Sequence, residues 1–507
     1  MDISTRDISH WIDRWADFTP QKTAIRFEGA EISYEDFAAA VHHLAGALAG
    51  ELGIKPGDRV AHLGHNSPQM LYLLFACARV RAMFMPLNWR LAAPEHSYML
   101  ADAAPVALFA DSQYRDHLDR ISGVSRRVLI DGPAGGGWHA LDDLVAGARD
   151  HRAPGAGLDD RLLLVYTSGT TGRPKGAVLK QNAVQWNAIN SAIMHEMTAR
   201  DHIFCTLPLF HVGGMNNQTT PAFHAGATVT LHRRFDVGQT LRTLNDERPD
   251  LCVLVPAQSQ ALVDHPAWPD TDVSSLRMIT TGSSIVPEAM IHAWHDRGIP
   301  LVQIYGSTET CPIAIHNLRH DAFECEGSTG KPAMHCQIRL VGDDDVDVAP
   351  GETGEILVRG PNVFSEYWGN PQATKASFTA DGWYRSGDVA WCDERGFYYV
   401  VERKKDMIIS GAENIYPAEV EAVMLGHEGV GEVAIVGRRD ERWGEVPVAF
   451  VVAAPQGAKD AAAILAFLEG RLARYKHPHE VIFVDELPRN ALGKVRKFEL
   501  RDRLCGD

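Results

Sequence analysis

Residues 161–178, RLLLVYTSGTTGRPKGAV, begin with an apolar run and continue into a loop of hydroxyls and glycines that closes on Lys175. The apolar residues 162–166 predict a buried strand, and the small residues after it lack the bulk to pack a core. Glycine lets the backbone curl so that successive N–H groups point at one anion, while hydroxyls and a lysine add donors and charge. The stretch therefore predicts a strand that leads into a polyphosphate-binding loop.

This loop differs from the phosphate loop of kinases and GTPases. Counting from Gly169, the position that needs the second glycine holds Pro174, and neither Ser nor Thr follows Lys175. The loop therefore does not support the prediction of a kinase or a GTPase.

Composition sets the next limits. The 507 residues are too many for one ordinary core, so two or more domains are expected. A hydrophobic fraction of 45% with 22% charged residues is typical of a globular protein. The formal net charge of −16 argues against a nucleic acid or an anionic membrane as partner. An anionic substrate must therefore be attracted by local cations.

Three features predict a cytoplasmic protein. Residues 1–15 contain acids and no apolar core of a secretory signal. The most apolar stretch, 70–87, is interrupted by Arg79 and Arg81, which favours a core helix over a membrane span. Eight cysteines without a C-x-x-C pair fit free thiols in a reducing compartment.

One group of residues has a spacing loosely like that of a zinc site, and we interpret its members as core or surface residues; they are Cys311, His316, His320 and Cys325.

Alternating helices and strands predict an α/β fold with parallel sheets. Helices are expected at 33–53, 69–81, from 417 onwards and at 460–474. Strands are expected at 59–63, 83–87, 162–166, 251–255, 278–280, 301–305, 433–436, 449–452 and 481–484.

The strand in LVQIYGSTET, residues 301–310, delivers an aromatic ring, a hydroxyl and a carboxylate at its carboxyl end. Open α/β sheets bind ligands at that end of their strands. The ring of Tyr305 can stack on adenine, Thr308 can donate to a phosphate, and Glu309 can hold Mg²⁺. In GWYRSGD, residues 382–388, Asp388 suits a ribose diol because a carboxylate accepts two hydrogen bonds.

These motifs, together with ERKKD at 402–406 and PRNALGKVRK at 488–497, closely resemble those of the adenylate-forming superfamily. That superfamily comprises acyl- and aryl-CoA synthetases, adenylation domains of peptide synthetases, and luciferases. The resemblance implies a large N-terminal domain of parallel and mixed sheets flanked by helices, residues 1–404. It also implies a small mobile α/β C-terminal domain, residues 405–507, that pivots at Lys405.

The resemblance also implies roles for individual residues. Catalytic roles fall to Lys494, Thr308, Glu309 and His211, with Glu309 as the Mg²⁺ ligand. ATP or AMP binding falls to Thr167, Ser168, Gly169, Thr170, Thr171, Lys175, Gly282, Ser283, Ser284, Tyr305, Gly306, Thr308, Asp388 and Arg403. Gly411 is expected to face coenzyme A. The acyl pocket is expected to be lined by His211, Met215, Asn216, Gln258, Thr281, Ser307 and Cys311.

The activity so implied is an AMP-forming acid:CoA ligase that uses ATP, Mg²⁺ and coenzyme A. The acid is expected to be a medium- or long-chain fatty acid or an aryl acid, with bulky aryl keto acids also open. Ile304 stands where malonate-activating relatives tend to place Arg, which disfavours a short dicarboxylate. The alternatives are an adenylation enzyme that loads a carrier protein and a non-catalytic nucleotide-binding homologue. A monomer or a homodimer is expected.

Overall fold

The structure is a computed structural model, and it describes residues 7–121, 123–152, 157–167, 174–282, 286, 288–342, 345–403, 408–411, 413–415, 417–454, 457–488, 495 and 497–504. Side chains are described throughout these ranges except at 401–403, 414, 418, 422 and 498. By its contacts the chain divides into two units. The first contains residues 1–89, 102–165 and 176–402, and the second contains residues 90–101, 166–175 and 403–507.

The α-helices of the described ranges are α1 (His10–Phe18), α2 (Tyr34–Ala49), α3 (Pro68–Val80), α4 (Ala93–Ala103), α5 (Arg115–Leu118), α6 (Leu141–Gly147), α7 (Gln181–Met194), α8 (Val212–Gly214), α9 (Thr220–Ala225), α10 (Val237–Arg242), α11 (Pro256–Val263), α12 (Glu288–His295), α13 (Pro371–Ala376), α14 (Pro417–Met424), α15 (Ala461–Phe467) and α16 (Lys497–Leu504). Short 3₁₀ turns lie at Ser112–Tyr114, Thr308–Thr310 and Arg474–Lys476, and π-helical turns at Met215–Thr219 and Thr243–Glu247.

The β-strands of the same ranges are β1 (Thr23–Phe27), β2 (Ala30–Ser33), β3 (Arg59–Leu63), β4 (Met83–Leu87), β5 (Ala107–Ala110), β6 (Arg126–Leu129), β7 (Trp138–Ala140), β8 (Arg161–Thr167), β9 (Lys175–Lys180), β10 (His202–Cys205), β11 (Thr228–Leu231), β12 (Leu251–Val253), β13 (Met278–Thr281), β14 (Leu301–Tyr305), β15 (Ile315–His316), β16 (Lys331–Pro332), β17 (Gln337–Val341), β18 (Gly354–Arg359), β19 (Glu366–Tyr367), β20 (Tyr384–Cys392), β21 (Tyr398–Arg403), β22 (Ile408–Ser410), β23 (Glu413–Ile415), β24 (Val430–Asp440), β25 (Gly444–Ala453) and β26 (Glu480–Phe483).

Two large sheets have parallel centres. The described strands form a nine-stranded sheet in the order β16-β15-β14-β13-β12-β10-β11-β1-β2 and an eight-stranded sheet in the order β19-β9-β8-β4-β3-β5-β6-β7. In the first sheet, β10 to β14 pair in parallel with their neighbours, and β14–β15 is antiparallel. In the second, β3 pairs in parallel with β4 and β5, while β19–β9 is antiparallel. Both sheets are mixed, as predicted.

Two smaller sheets follow. In the described chain a four-stranded sheet has the order β17-β18-β20-β21. A five-stranded sheet joins β23, β22, β25 and β24 in that order, with β26 paired in parallel to β25. Buried apolar residues from β24, β25, α14 and α15 form a separate core beside this last sheet. The predicted α/β fold class is confirmed.

The strongest apolar patterns gave the predicted elements closely. Ser33 caps α2 by accepting a hydrogen bond from the Asp36 N–H at 3.0 Å, and β3 and β4 have the predicted bounds. The helix predicted at 460–474 is wrong beyond Phe467, because Gly470 adopts φ +71°, which a helix cannot accommodate. Within the described ranges, no helix is both long and apolar enough to cross a membrane.

Candidate active site

The carboxyl ends of the parallel neighbours β13 and β14 bring several predicted residues together in the first unit. Thr281 pairs with Gln303 in the sheet, so Gly282 lies beside the end of β14. A Cβ atom at Gly282 would lie 2.8 Å from the carbonyl oxygen of Ile304. Only glycine allows the two strand ends to approach this closely.

After β14 the chain turns sharply through Gly306. A Cβ atom at Gly306 would lie 1.5 Å from the carbonyl oxygen of Pro312, a distance that no side chain tolerates. Thr310 closes the turn, because its Oγ1 accepts a hydrogen bond from the Ser307 N–H at 2.8 Å. The turn places Thr308 and Glu309 in a 3₁₀ segment directly after the strand.

Asp388, on β20, meets Tyr305. The Tyr305 hydroxyl donates to Asp388 Oδ2 at 2.8 Å, although the two residues are 83 positions apart in the chain. Both side chains are buried, and burial raises the pKa of Tyr305 well above its usual value, so the hydroxyl remains a donor. A carboxylate accepts more than one hydrogen bond, so Asp388 can hold a ribose diol while it also accepts from Tyr305.

Glu309 is held by Tyr367, a residue that the sequence analysis missed. The Tyr367 hydroxyl donates to Glu309 Oε1 at 2.7 Å, and the side chain of Glu309 is only 7% exposed. Burial and the charge of Glu309 raise the pKa of Tyr367 far above its usual value, which keeps the hydroxyl protonated. The bond therefore fixes one carboxylate oxygen.

The geometry of Glu309 suits Mg²⁺ bound together with a polyphosphate. Mg²⁺ usually takes one or two carboxylates and completes its shell with water and substrate phosphates. Among the described side chains, no group of three or more His, Cys, Asp and Glu is placed to hold a metal ion by itself. Glu309 can supply one such carboxylate.

Two of the residues predicted to line the acyl pocket, Asn216 and Cys311, belong to one buried hydrogen-bond network. The Asn216 amide donates to Cys311 Sγ at 3.4 Å, and Thr220 Oγ1 donates to Asn216 Oδ1 at 3.0 Å. Asn187 donates its amide to the carbonyl oxygen of Asn216 at 2.6 Å and accepts from the Ile313 N–H at 3.1 Å. The network joins the helical run after β10 to the turn after β14.

The other residues predicted to line the acyl pocket lie on separate elements of the first unit. Met215 is buried, and half-buried His211 begins the helical run, with its carbonyl oxygen accepting from the Met215 N–H at 2.9 Å. The hydroxyl oxygens of Thr281 and Ser307 are buried and have no hydrogen-bond partner among the described residues. Gln258 lies on α11, where its Oε1 accepts from the Val255 N–H at 3.4 Å.

The second unit contains other predicted residues. Thr167 ends β8 and Lys175 begins β9, and the Thr167 hydroxyl reaches the Lys175 carbonyl oxygen at 3.5 Å. Gly411 lies against Trp443, whose carbonyl oxygen accepts the Gly411 N–H at 2.8 Å. Arg403 ends β21, and its side chain lies outside the described residues. Also outside them are Ser168, Gly169, Thr170, Thr171, Ser283, Ser284, Lys405 and Lys494.

Comparisons with known proteins define the class of this chain. Residues 12–368 match the model of the AMP-binding enzyme family, and residues 419–494 match that of the AMP-binding enzyme C-terminal domain. The chain therefore belongs to the family of AMP-binding enzymes. The predicted adenylate-forming superfamily is confirmed, and so is the predicted enzyme class of AMP-forming acid–thiol ligases.

Individual relatives cover nearly the whole chain. It is 53% identical over 500 residues to an indoleacetate–CoA ligase of Aromatoleum aromaticum, covering 98% of both chains. It is 42% identical over 503 residues to a feruloyl-CoA synthase of an Amycolatopsis species, covering 99% of this chain and 100% of the relative. Among solved structures, o-succinylbenzoate CoA synthetase of Bacillus subtilis superposes with a TM-score of 0.86 at 32% identity, covering 97% of this chain and 98% of the other.

Two residues that contact the site were not identified from the sequence motifs. Tyr367 lies between the motifs at 301–310 and 382–388, in a stretch with no distinctive pattern. Asn362, in the same stretch, donates to the carbonyl oxygens of Thr310 at 2.7 Å and Ile313 at 2.9 Å. A side chain that fixes a neighbouring loop carries no spacing that a single sequence reveals.

Proposed function

We propose that this chain is an ATP-dependent acid:CoA ligase whose acid carries an aromatic ring on a short linker to the carboxylate. The observation that carries the substrate class is the 53% identity to an indoleacetate–CoA ligase over 98% of both chains. The buried hydroxyls of Thr281 and Ser307, which have no partner among the described residues, agree with an acid that offers polar groups on its ring. A plain alkyl chain would leave such groups without partners.

In the first half-reaction, an oxygen of the substrate carboxylate bonds to the α-phosphorus of ATP, and pyrophosphate leaves. Tyr305 and Asp388 hold the adenosine, and Thr308 donates to the α-phosphate. Glu309 would hold Mg²⁺, which neutralises the triphosphate charge. Lys494 bridges the carboxylate and the α-phosphate as charge moves between them. The β- and γ-phosphates fall to Thr167, Ser168, Gly169, Thr170, Thr171 and Lys175.

In the second half-reaction, the sulfur of coenzyme A bonds to the acyl carbon. AMP leaves with the bonding electrons, and the thiol proton passes to solvent or base. Gly411 offers the close approach that the pantetheine arm needs. Half-buried His211 stands at the start of the helical run that supplies the acyl pocket. The remaining contacts with the nucleotide are made by Gly282, Ser283, Ser284, Gly306 and Arg403. Lys405 is the hinge about which the C-terminal residues rotate.

The test is acyl-CoA formation measured by mass spectrometry with ATP, Mg²⁺ and coenzyme A. The panel contains arylacetic, arylpropenoic, benzoic, fatty and dicarboxylic acids. We expect aryl acids to give the CoA ester, Lys494→Ala to lose it, and Lys459→Ala, at an exposed lysine, to keep it. A product from fatty acids alone would refute the substrate class. Pyrophosphate release without any CoA ester would indicate a different acceptor, such as a carrier protein.

A further inference from the structure

A buried cluster of three ionisable side chains lies in the second unit, and none of the three is among the residues assigned above. Lys476 Nζ donates to Glu95 Oε1 at 2.6 Å and to Glu419 Oε1 at 2.7 Å. Glu95 is 381 positions before Lys476 in the chain, and Glu419 is 57 positions before it. The side chain of Lys476 is only 2% exposed, and both carboxylates are buried with it.

Glu95 makes more than an ion pair in this cluster. Its second oxygen, Oε2, accepts from the backbone N–H groups of Ala92 and Ala473, each at 2.9 Å. Ala473 stands immediately before the 3₁₀ turn that carries Lys476. One carboxylate therefore fixes its own chain segment, the turn before Lys476 and the ammonium group itself.

The cluster ties residues 90–101 to the C-terminal sheet. Glu419 lies on α14, next to that sheet, and its Oε2 is buried without a partner among the described residues. If Glu95 withdrew, Lys476 would keep a single carboxylate. Separating a buried charge from its partner costs much more than any surface ion pair contributes. The cluster therefore favours the arrangement in which the ammonium group of Lys476 contacts both carboxylates.

The same segment also reaches the loop assigned to coenzyme A. Arg90 forms an ion pair with Glu413, the first residue of β23. Glu413 follows Gly411 by two positions, and Gly411 itself lies against Trp443. Residues 90–101 thus contact the C-terminal sheet at the Gly411 loop through Arg90 and at the Lys476 turn through Glu95. None of these contacts involves Tyr305, Glu309 or Asp388.

We propose that Glu95, Lys476 and Glu419 are positioning residues for the thioester-forming half-reaction. They hold residues 403–507 in the arrangement in which Gly411 serves coenzyme A, and they touch neither substrate nor nucleotide. This inference rests on the proposed function, because it presumes that coenzyme A is the acceptor.

The test separates the two half-reactions in the full chain. Adenylation is measured as acid-dependent exchange of labelled pyrophosphate into ATP without coenzyme A. Thioester formation is measured in a single turnover, by adding coenzyme A to the acyl-adenylate formed on the enzyme. Glu95→Gln keeps the shape of the side chain and removes its charge, and Glu419→Gln tests the other carboxylate. The matched control is Glu480→Gln, the same change at an exposed carboxylate that pairs with Arg438 on the C-terminal sheet.

We expect Glu95→Gln to slow the single-turnover transfer by about tenfold or more while exchange stays within about twofold of wild type. Glu95→Asp, which restores the charge, should recover part of the transfer rate. Equal losses in both half-reactions would overturn the proposal, since they would indicate a purely structural cluster, and so would an unchanged transfer rate. Failure of the proposed function is distinguishable, because the wild-type protein would then form no thioester.

Discussion

Replacing Tyr367 by phenylalanine removes the hydroxyl that donates a hydrogen bond to Glu309 Oε1. The bond is 2.7 Å long and its acceptor is a carboxylate that is 7% exposed. Hydrogen bonds to charged groups contribute about 1.5–3 kcal/mol, so Tyr367→Phe should lower the free energy of unfolding by about 2 kcal/mol. Because the freed oxygen no longer has a fixed direction, the Mg²⁺ concentration that half-saturates pyrophosphate exchange should rise by about tenfold.

Unfolding is measured by urea titration of tryptophan fluorescence, and exchange is measured over a series of Mg²⁺ concentrations. The matched control is Tyr72→Phe, because Tyr72 packs against Phe37 with ring centroids 5.3 Å apart and its hydroxyl has no hydrogen bond in the described part of the chain. In a Glu309→Gln background, Tyr367→Phe should cost clearly less, since the acceptor is no longer charged. Equal losses of stability in Tyr367→Phe and Tyr72→Phe, with an unchanged Mg²⁺ requirement, would refute the reasoning.

Three further changes test other parts of the structure. Tyr305→Phe removes the 2.8 Å bond to Asp388 and should raise the KM for ATP by about tenfold with the KM for the acid unchanged; steady-state kinetics that show equal rises would contradict this. Gly306→Ala forces a Cβ atom to 1.5 Å from a carbonyl oxygen, so in a thermal melt the Tm should fall by about 10 °C, or the variant should not fold. The control is Gly213→Ala, where the added Cβ atom would meet no atom of another segment within 4 Å and the Tm should be nearly unchanged. Burial raises the pKa of Glu419 to about 7, above the usual value of 4.5, so the folded state holds this proton more tightly. Stability should therefore fall as pH rises from 5 to 8, and urea titrations of Glu419→Gln should show a smaller fall; identical pH profiles would count against the shift.

The local sequence pattern was sufficient to predict the bounds of strands and helices where the run of apolar residues was pronounced. Strands β3 and β4 matched their predicted bounds, and α3 began one residue before the prediction. Prediction failed at 468–474, where a helical pattern continued past the point at which Gly470 turns the chain. A helix end depends on one backbone conformation, which periodicity does not report.

Some site residues were likewise predicted from local motifs, and others were not. The motifs at 301–310 and 382–388 pointed to Tyr305, Glu309 and Asp388, and the structure places Tyr305 and Asp388 within hydrogen-bond distance. Their roles with ATP, Mg²⁺ and the acid remain predictions. Tyr367 carried no motif, and its hydrogen bond to Glu309 joins residues 58 positions apart in the chain, which a local pattern does not report.

The sequence by itself determined the α/β class and the membership in a family of AMP-binding enzymes. Each of these depends on residues that stand close together in the chain, so their spacing records the backbone conformation that they need. Only the tertiary structure decided which distant residues share a buried charge, as Glu95, Glu419 and Lys476 do. A charge enters the interior only where its partners also arrive, and which partners arrive depends on how the chain folds back on itself.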